Sequence, residues 1–160
     1  MSIGHAELIA TIASEIATSG PIPFVRFMEL ALYHPQFGYY MRPPDSGAER
    51  IGWSGDFYTS SDVHPILGQA LAKQARQLDT ILGHPDPFTV VEMGPGKGLL
   101  AKHFLSSCRV NSDDSFSQRL RYVLIERSPA MRELQRRNLL HGLCEPGRIT
   151  WIEGLDSLAE

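Results

Sequence analysis

The stretch Phe88-Thr89-Val90-Val91-Glu92-Met93-Gly94-Pro95-Gly96-Lys97-Gly98 decides the fold. Its first six residues are aromatic and β-branched enough to form a short strand, and the glycines that follow break it with a turn. Helical spacing resumes at Leu99–Leu105. A strand that ends in a glycine turn and runs into a helix opens a parallel α/β unit. In such units ligands bind beyond the carboxyl ends of the strands, so the turn after the first strand must let backbone approach them. A Cβ would obstruct that approach at Gly94 and Gly96, while Gly98 lets the helix pack closely against the strand. The helix N-terminus then offers free N–H groups and a partial positive charge to a carboxylate.

Working outward, the pattern repeats. Tyr122-Val123-Leu124-Ile125-Glu126 reads as a second buried strand, Pro129–Leu140 as its helix and Ile149–Ile152 as a third strand, with polar Ser106–Ser117 as a surface loop. Strand, helix, strand, helix, strand predicts a doubly wound parallel sheet with right-handed crossovers and helices on both faces. Three strands do not cover the apolar surface of such a sheet. Residues 87–160 are therefore expected to be the first half of a Rossmann-like domain, incomplete within this chain.

Residues 1–86 read as an N-terminal helical segment and a loop. Leu8, Ile9, Ile12 and Ile16 recur at helical spacing until Gly20-Pro21, and a second helix is predicted through Phe24–Leu32 with Phe24, Phe27, Met28 and Ala31 on one face. Arg42 to Ser61 is rich in Pro, Gly, Ser and Asp and is expected to be extended loop. A further helix, opened by Asp62 or His64 with Pro65 in its first turn, carries a continuous apolar stripe of Leu67, Ala70, Leu71, Gln74, Leu78, Ile81 and Leu82.

Glycine spacing separates the cofactor classes. The dinucleotide fingerprint GxGxxG places its third glycine where this chain has Leu99; here the glycine comes one residue earlier, at Gly98. A phosphate-binding Walker loop fails too, because Gly98 stands where Ser or Thr must hold magnesium. The pattern ExGxGxG is the form typical of S-adenosylmethionine methyltransferases. Glu126, ending the second strand, is placed for a carboxylate to accept both ribose hydroxyls. The less favoured alternative is an acid capping the helix at Ser128-Pro129. Glu92, two residues before Gly94, can offset the ammonium of a methionine moiety or fix the turn by accepting backbone N–H bonds, and spacing does not separate these.

Several ordered motifs extend this reading. Gly20-Pro21-Ile22, Phe27-Met28, and Leu32-Tyr33-His34-Pro35-Gln36-Phe37-Gly38-Tyr39-Tyr40 resemble the N-terminal signature of the MidA-like methyltransferases. Ile51-Gly52 and Gly55-Asp56-Phe57-Tyr58-Thr59-Ser60 resemble that family's GDF-TS motif, and Phe88–Gly98 with Tyr122–Ser128 complete the match. The family includes the mitochondrial complex I assembly factor that dimethylates an arginine of a complex I subunit. The resemblance implies a class I methyltransferase fold, S-adenosyl-L-methionine as cofactor, a protein substrate with arginine as acceptor, and a GDF-TS loop closing over the cofactor. It adds Gly55, Asp56 and Thr59, with Tyr40 a weaker candidate, to a cofactor site of Glu92, Gly94, Pro95, Gly96, Gly98 and Glu126. The family's Asn-Glu-Phe-Phe-Asp-Ala-Leu-Pro-like segment, expected after the third strand, has no counterpart in this chain, so no residue is assigned as catalytic.

Composition sets the remaining bounds. At 160 residues and 42% hydrophobic content the chain can bury a core, and a formal charge of -3 gives no reason to expect nucleic acid. The arginines from Arg119 to Arg137 are expected on a solvated helix face. The six histidines show no metal-ligand spacing, so no metal is expected, and Cys108 and Cys144 are read as reduced thiols. No run approaches the ~18 apolar residues of a membrane helix. A soluble cytoplasmic protein is expected, or one of the mitochondrial matrix in a eukaryote. The alternatives to a methyltransferase are a non-catalytic module that keeps the cofactor fold to assist assembly, and an NAD-dependent oxidoreductase.

Overall fold

The computed structural model describes residues 4–41, 51–108, 115–140 and 147–158. The chain divides into two compact units, Met1–Asp45 and Ser46–Glu160. The first unit holds helices α1 (Ala6–Ser19) and α2 (Phe24–Tyr33). Gly20 adopts φ +80 and donates its N–H to Ile16 O, so α1 stops where a Cβ would be strained. The helices are joined by a bidentate bond from Arg26 to Glu15, at 2.9 and 3.1 Å. After α2 the chain turns tightly. A Cβ on Gly38 would stand 2.4 Å from His34 N, and His34 Nδ1 accepts the N–H groups of Gln36 and Phe37. The expected apolar face of α2 is not the buried one: Leu30 is buried, whereas Phe24 and Phe27 are exposed and stack on each other.

The second unit contains α3 (Ser60–Val63), α4 (Ile66–Ile81), β1 (Phe88–Met93), α5 (Leu99–Cys108), α6 (Ser115–Arg119), β2 (Leu120–Ile125), α7 (Pro129–Leu140) and β3 (Ile149–Ile152). The strands form one parallel sheet in the order β1-β2-β3, with Met93 beside Ile125 and Ile125 beside Ile152. The architecture is α/β, a parallel sheet with helices packed on it, as the strand and turn pattern predicts. Two successive right-handed crossovers stepping in the same direction must place their helices on the same side of the sheet. The core accordingly lies on one face, where Phe88, Leu120, Tyr122 and Leu124 meet Ala72 and Ala75 of α4, Ala101, Phe104 and Leu105 of α5, and Leu139 of α7. On the opposite face Val91 and Met93 are exposed. Within this unit the helices that follow β1 and β2 pack on the core face.

Two features depart from the sequence pattern. Helix α4 buries Gly68, Ala72, Ala75 and Asp79, not the leucine stripe; Leu67, Leu71, Leu78, Ile81 and Leu82 are exposed. Close approach of α4 to α5 decides this, since a Cβ on Gly68 would lie 2.5 Å from His103 Cβ and 2.8 Å from Phe104 N. Only small residues fit such a crossing, whatever the hydrophobic pattern prefers. The segment read as a surface loop is partly helical: α5 runs on to Cys108, and α6 buries Phe116 and Ser117. Phe116 meets Phe88 edge to face, and Ser117 donates to Cys108 O at 2.7 Å. Residues 109–114 and 42–50 of the two expected loops lie outside the described residues, as does Cys144.

The expected solvated arginine face also resolves into separate roles. Arg119 makes a forked bond to the buried Asp79, Arg132 pairs with Glu153, and Arg136 lies over the Trp151 ring. No helix among the described residues is long and apolar enough to cross a membrane.

Candidate functional site

The carboxyl ends of β1 and β2 lie side by side. Gly94 N–H donates to Ile125 O at 3.1 Å, extending the ladder one residue past Met93, and Glu126 N–H donates to Ile152 O at 2.9 Å. Gly94 and Glu126 therefore emerge together at one edge of the sheet, brought there from positions 32 residues apart in the chain (126 minus 94).

The turn needs its glycines for different reasons. Gly94, Gly96 and Gly98 have φ of +67, +53 and +77, a left-handed backbone that costs a residue with a Cβ about 1–2 kcal/mol. Beyond strain, their surroundings differ. Among the described residues a Cβ on Gly94 would meet nothing within 4 Å, which leaves its backbone open to a ligand there. On Gly96 it would meet, among the described residues, Ile51 Cδ1 at 3.6 Å. On Gly98 it would crowd Gln135 and Leu139 of α7 at 3.3–3.5 Å. Pro95 is buried between the first two, and its carbonyl accepts the Gly98 N–H at 2.8 Å.

Glu126 has one protein donor on each carboxylate oxygen: Ser128 N–H on Oε1 at 2.8 Å and Gln135 Nε2–H on Oε2 at 3.1 Å. The capping role is thus present, and each oxygen retains a lone pair for another donor. Glu92 accepts the Tyr122 hydroxyl at 2.7 Å across the strand pair. Burial pushes the Glu92 carboxyl above the ordinary carboxylate range, partly opposed by that hydrogen bond, and burial also pushes the Tyr122 phenol up.

Sequence reading missed Gln135. Fully buried on α7, it donates Nε2–H to Gly96 O at 2.7 Å as well as to Glu126, and its Oε1 accepts Trp151 Nε1–H at 3.0 Å. Beside it, Asn138 donates to Lys97 O at 2.9 Å. One helix face thereby holds the glycine turn, the acidic residue and β3 in register. A polar residue midway along an Arg-rich helix carries no signal in the sequence that it faces inward.

The GDF-TS segment lies in the same unit. Ile51 bridges to Phe57, Gly52 N–H donates to Phe57 O, and Gly55 N–H donates to Gly52 O, so the segment is a tight excursion with Asp56 exposed at it. Thr59 caps α3, its N–H and hydroxyl both donating to Asp62 Oδ2 at 2.8 Å. Both flanks approach the glycine turn: a Cβ on Gly96 would stand 3.6 Å from Ile51 Cδ1, and Asp62 Oδ1 lies 2.6 Å from Lys97 Nζ. Tyr40 belongs to the first unit, where it packs on Tyr33 and Tyr39.

A parallel α/β unit with a GxGxG turn after β1 and a carboxylate at the tip of β2 defines a class I methyltransferase-like protein. Likeness to known proteins carries this to a family. Residues 67–160, well over half the chain, match the family described as "Putative S-adenosyl-L-methionine-dependent methyltransferase". The chain belongs to that S-adenosylmethionine-dependent methyltransferase family, as its MidA-like motifs imply. It is 34% identical to the mitochondrial protein arginine methyltransferase NDUFAF7 homologue of Drosophila melanogaster over 82% of this chain and 28% of that protein. It is 32% identical to the Xenopus laevis mitochondrial protein arginine methyltransferase NDUFAF7 over 78% and 28%. Among solved structures, it resembles a Burkholderia thailandensis protein described as a "likely methyl transferase" and crystallised with S-adenosyl-homocysteine. That likeness has a TM-score of 0.74 at 31% identity, covering 93% of this chain and 37% of the other. The chain thus spans under two fifths of the proteins it matches.

Proposed function

We propose that this chain carries the S-adenosylmethionine-binding part of a protein methyltransferase whose acceptor is an arginine side chain. The observation that supports it best is the open, left-handed backbone at Gly94 and Gly96 beside Glu126, whose two oxygens each keep a lone pair. Backbone without Cβ suits close approach by the methionine moiety, and the carboxylate suits the ribose hydroxyls. These residues fit the cofactor. Glu92, Pro95 and Gly98 complete its supporting shell in this reading, and Gly55, Asp56 and Thr59 belong to the segment that borders it.

The bound cofactor supplies a methyl group on a sulfonium, already a good leaving group, so the protein's share of the work is positioning. The glycine turn and Glu126 hold the donor. An arginine acceptor requires in addition a carboxylate that orients and deprotonates the guanidinium, whose ordinary pKa is far above 7. No residue of this chain is assigned that role.

The link to respiratory complex I assembly follows the resemblance to the MidA-like family, and the arginine acceptor follows the relatives, which are named as mitochondrial protein arginine methyltransferases. The compartment follows in the same way: the mitochondrial matrix in a eukaryote, the cytoplasm in a bacterium. Transfer of radiolabelled methyl from S-adenosylmethionine to a protein acceptor by the full-length protein, with methylarginine recovered after acid hydrolysis, tests the reading. Label recovered only on lysine or carboxylates contradicts the arginine acceptor. Tight cofactor binding with no transfer favours the assembly module instead.

A further inference from the structure

Lys97 stands inside the glycine turn, yet its side chain is committed elsewhere. Its ammonium lies 2.6 Å from Asp62 Oδ1, and both side chains are sheltered, at 16% and 3% exposure. The other oxygen of Asp62 accepts the N–H and the hydroxyl of Thr59, each at 2.8 Å. Asp62 therefore grips two things at once: the end of the Ile51–Thr59 segment and the glycine turn. The segment is closed on itself by the Gly52 N–H to Phe57 O and Gly55 N–H to Gly52 O bonds, at 2.8 and 3.0 Å. A pull at Thr59 is thus passed along a short, internally bonded loop. Its other end approaches the turn at Gly96, where an added Cβ would lie 3.6 Å from Ile51 Cδ1. From the opposite side, Asn138 of α7 holds the Lys97 carbonyl at 2.9 Å. Burial works against the Asp62 charge, but the Lys97 and Thr59 bonds outweigh it and hold its carboxyl below the ordinary value.

The geometry points to Asp62 and Lys97 as a positioning pair that fixes the Ile51–Thr59 segment against the glycine turn, so that cofactor affinity depends on two side chains engaged with each other and not with the cofactor. This rests on the S-adenosylmethionine reading above. The pair also accounts for a lysine at a position where a Walker loop would aim it at phosphate: here a buried carboxylate takes its charge.

The test uses Asp62→Asn, Lys97→Met, the double variant, and Lys97→Arg, which keeps the charge. Hydrogen–deuterium exchange without ligand reads the segment, and calorimetric titration with S-adenosylhomocysteine reads the site. In both single variants, exchange over residues 51–59 should accelerate while β1 and β2 stay protected, and affinity should fall about tenfold. The double variant should lose no more than the worse single, because the two act through one contact. Lys97→Arg should stay within about threefold of wild type. Unchanged exchange over 51–59, or losses that add in the double variant, would overturn the pair. Failure of the wild type to bind S-adenosylhomocysteine would overturn the cofactor reading, and the ligand-free exchange result would still decide the pairing.

Discussion

Gln135 and Gly96 are joined by a 2.7 Å hydrogen bond that ties a fully buried side chain of α7 to the carbonyl at the centre of the glycine turn. The same amide reaches Glu126 and Trp151. The turn after β1, the acid after β2 and the third strand therefore share one polar hub. Because buried polar groups left unpaired cost more than the bonds themselves contribute, the hub can be probed by an apolar substitution of similar size.

Gln135→Leu should lower stability by about 2 kcal/mol, through the stranded Gly96 carbonyl and Trp151 indole. A urea midpoint that drops with unchanged slope is the expected result. S-adenosylhomocysteine affinity should fall with it, since the turn loses its anchor from α7.

Glu126→Ala should weaken S-adenosylhomocysteine about 10- to 150-fold, the value of charged hydrogen bonds of ~1.5–3 kcal/mol. Calorimetry showing wild-type affinity would remove Glu126 from the site and leave it the Ser128 cap alone.

Gly94→Ala and Gly98→Ala separate the two uses of glycine in the turn. Each introduces left-handed strain of about 1–2 kcal/mol, but only Gly98→Ala also presses a methyl into Gln135 and Leu139. Gly98→Ala should be the less stable by thermal denaturation. Gly94→Ala, with open space around it, should be nearer wild type in stability while losing cofactor affinity.

Acid stability should depend on Asp79. The Arg119 fork, with His84 adding a third bond, holds this carboxyl at about 2, below its ordinary 3.8. A carboxylate depressed in the folded state contributes stability that is complete above the unfolded value and lost as pH falls from there through about 2. Asp79→Asn should lower the urea midpoint at neutral pH and flatten the decline of stability between about pH 4 and pH 2. An unchanged acid limb would show that other carboxylates govern it.

Much of the sheet unit was legible because strand and turn signals are local. Phe88–Met93, Pro129–Leu140 and Ile149–Ile152 fall where the pattern puts them. What failed is what depends on neighbours. The leucine stripe of α4 has the right period for burial, but α5 comes too close for leucine at Gly68, and the helix turns its small residues inward. Phe116 sits in a polar stretch whose composition says surface, yet it packs on Phe88. Gln135 and Asp62 could not be found by composition: each is a polar residue whose importance lies in partners far along the chain, Gly96 and Lys97.

Everything proposed for this chain turns on the Gly94–Gly98 turn and Glu126 forming an S-adenosylmethionine site. Calorimetric titration of the chain with S-adenosylhomocysteine, and in parallel with NAD, is the direct test. Saturable binding of S-adenosylhomocysteine with no heat from NAD is the predicted result. Binding of NAD alone would contradict it and return the turn to the dinucleotide class.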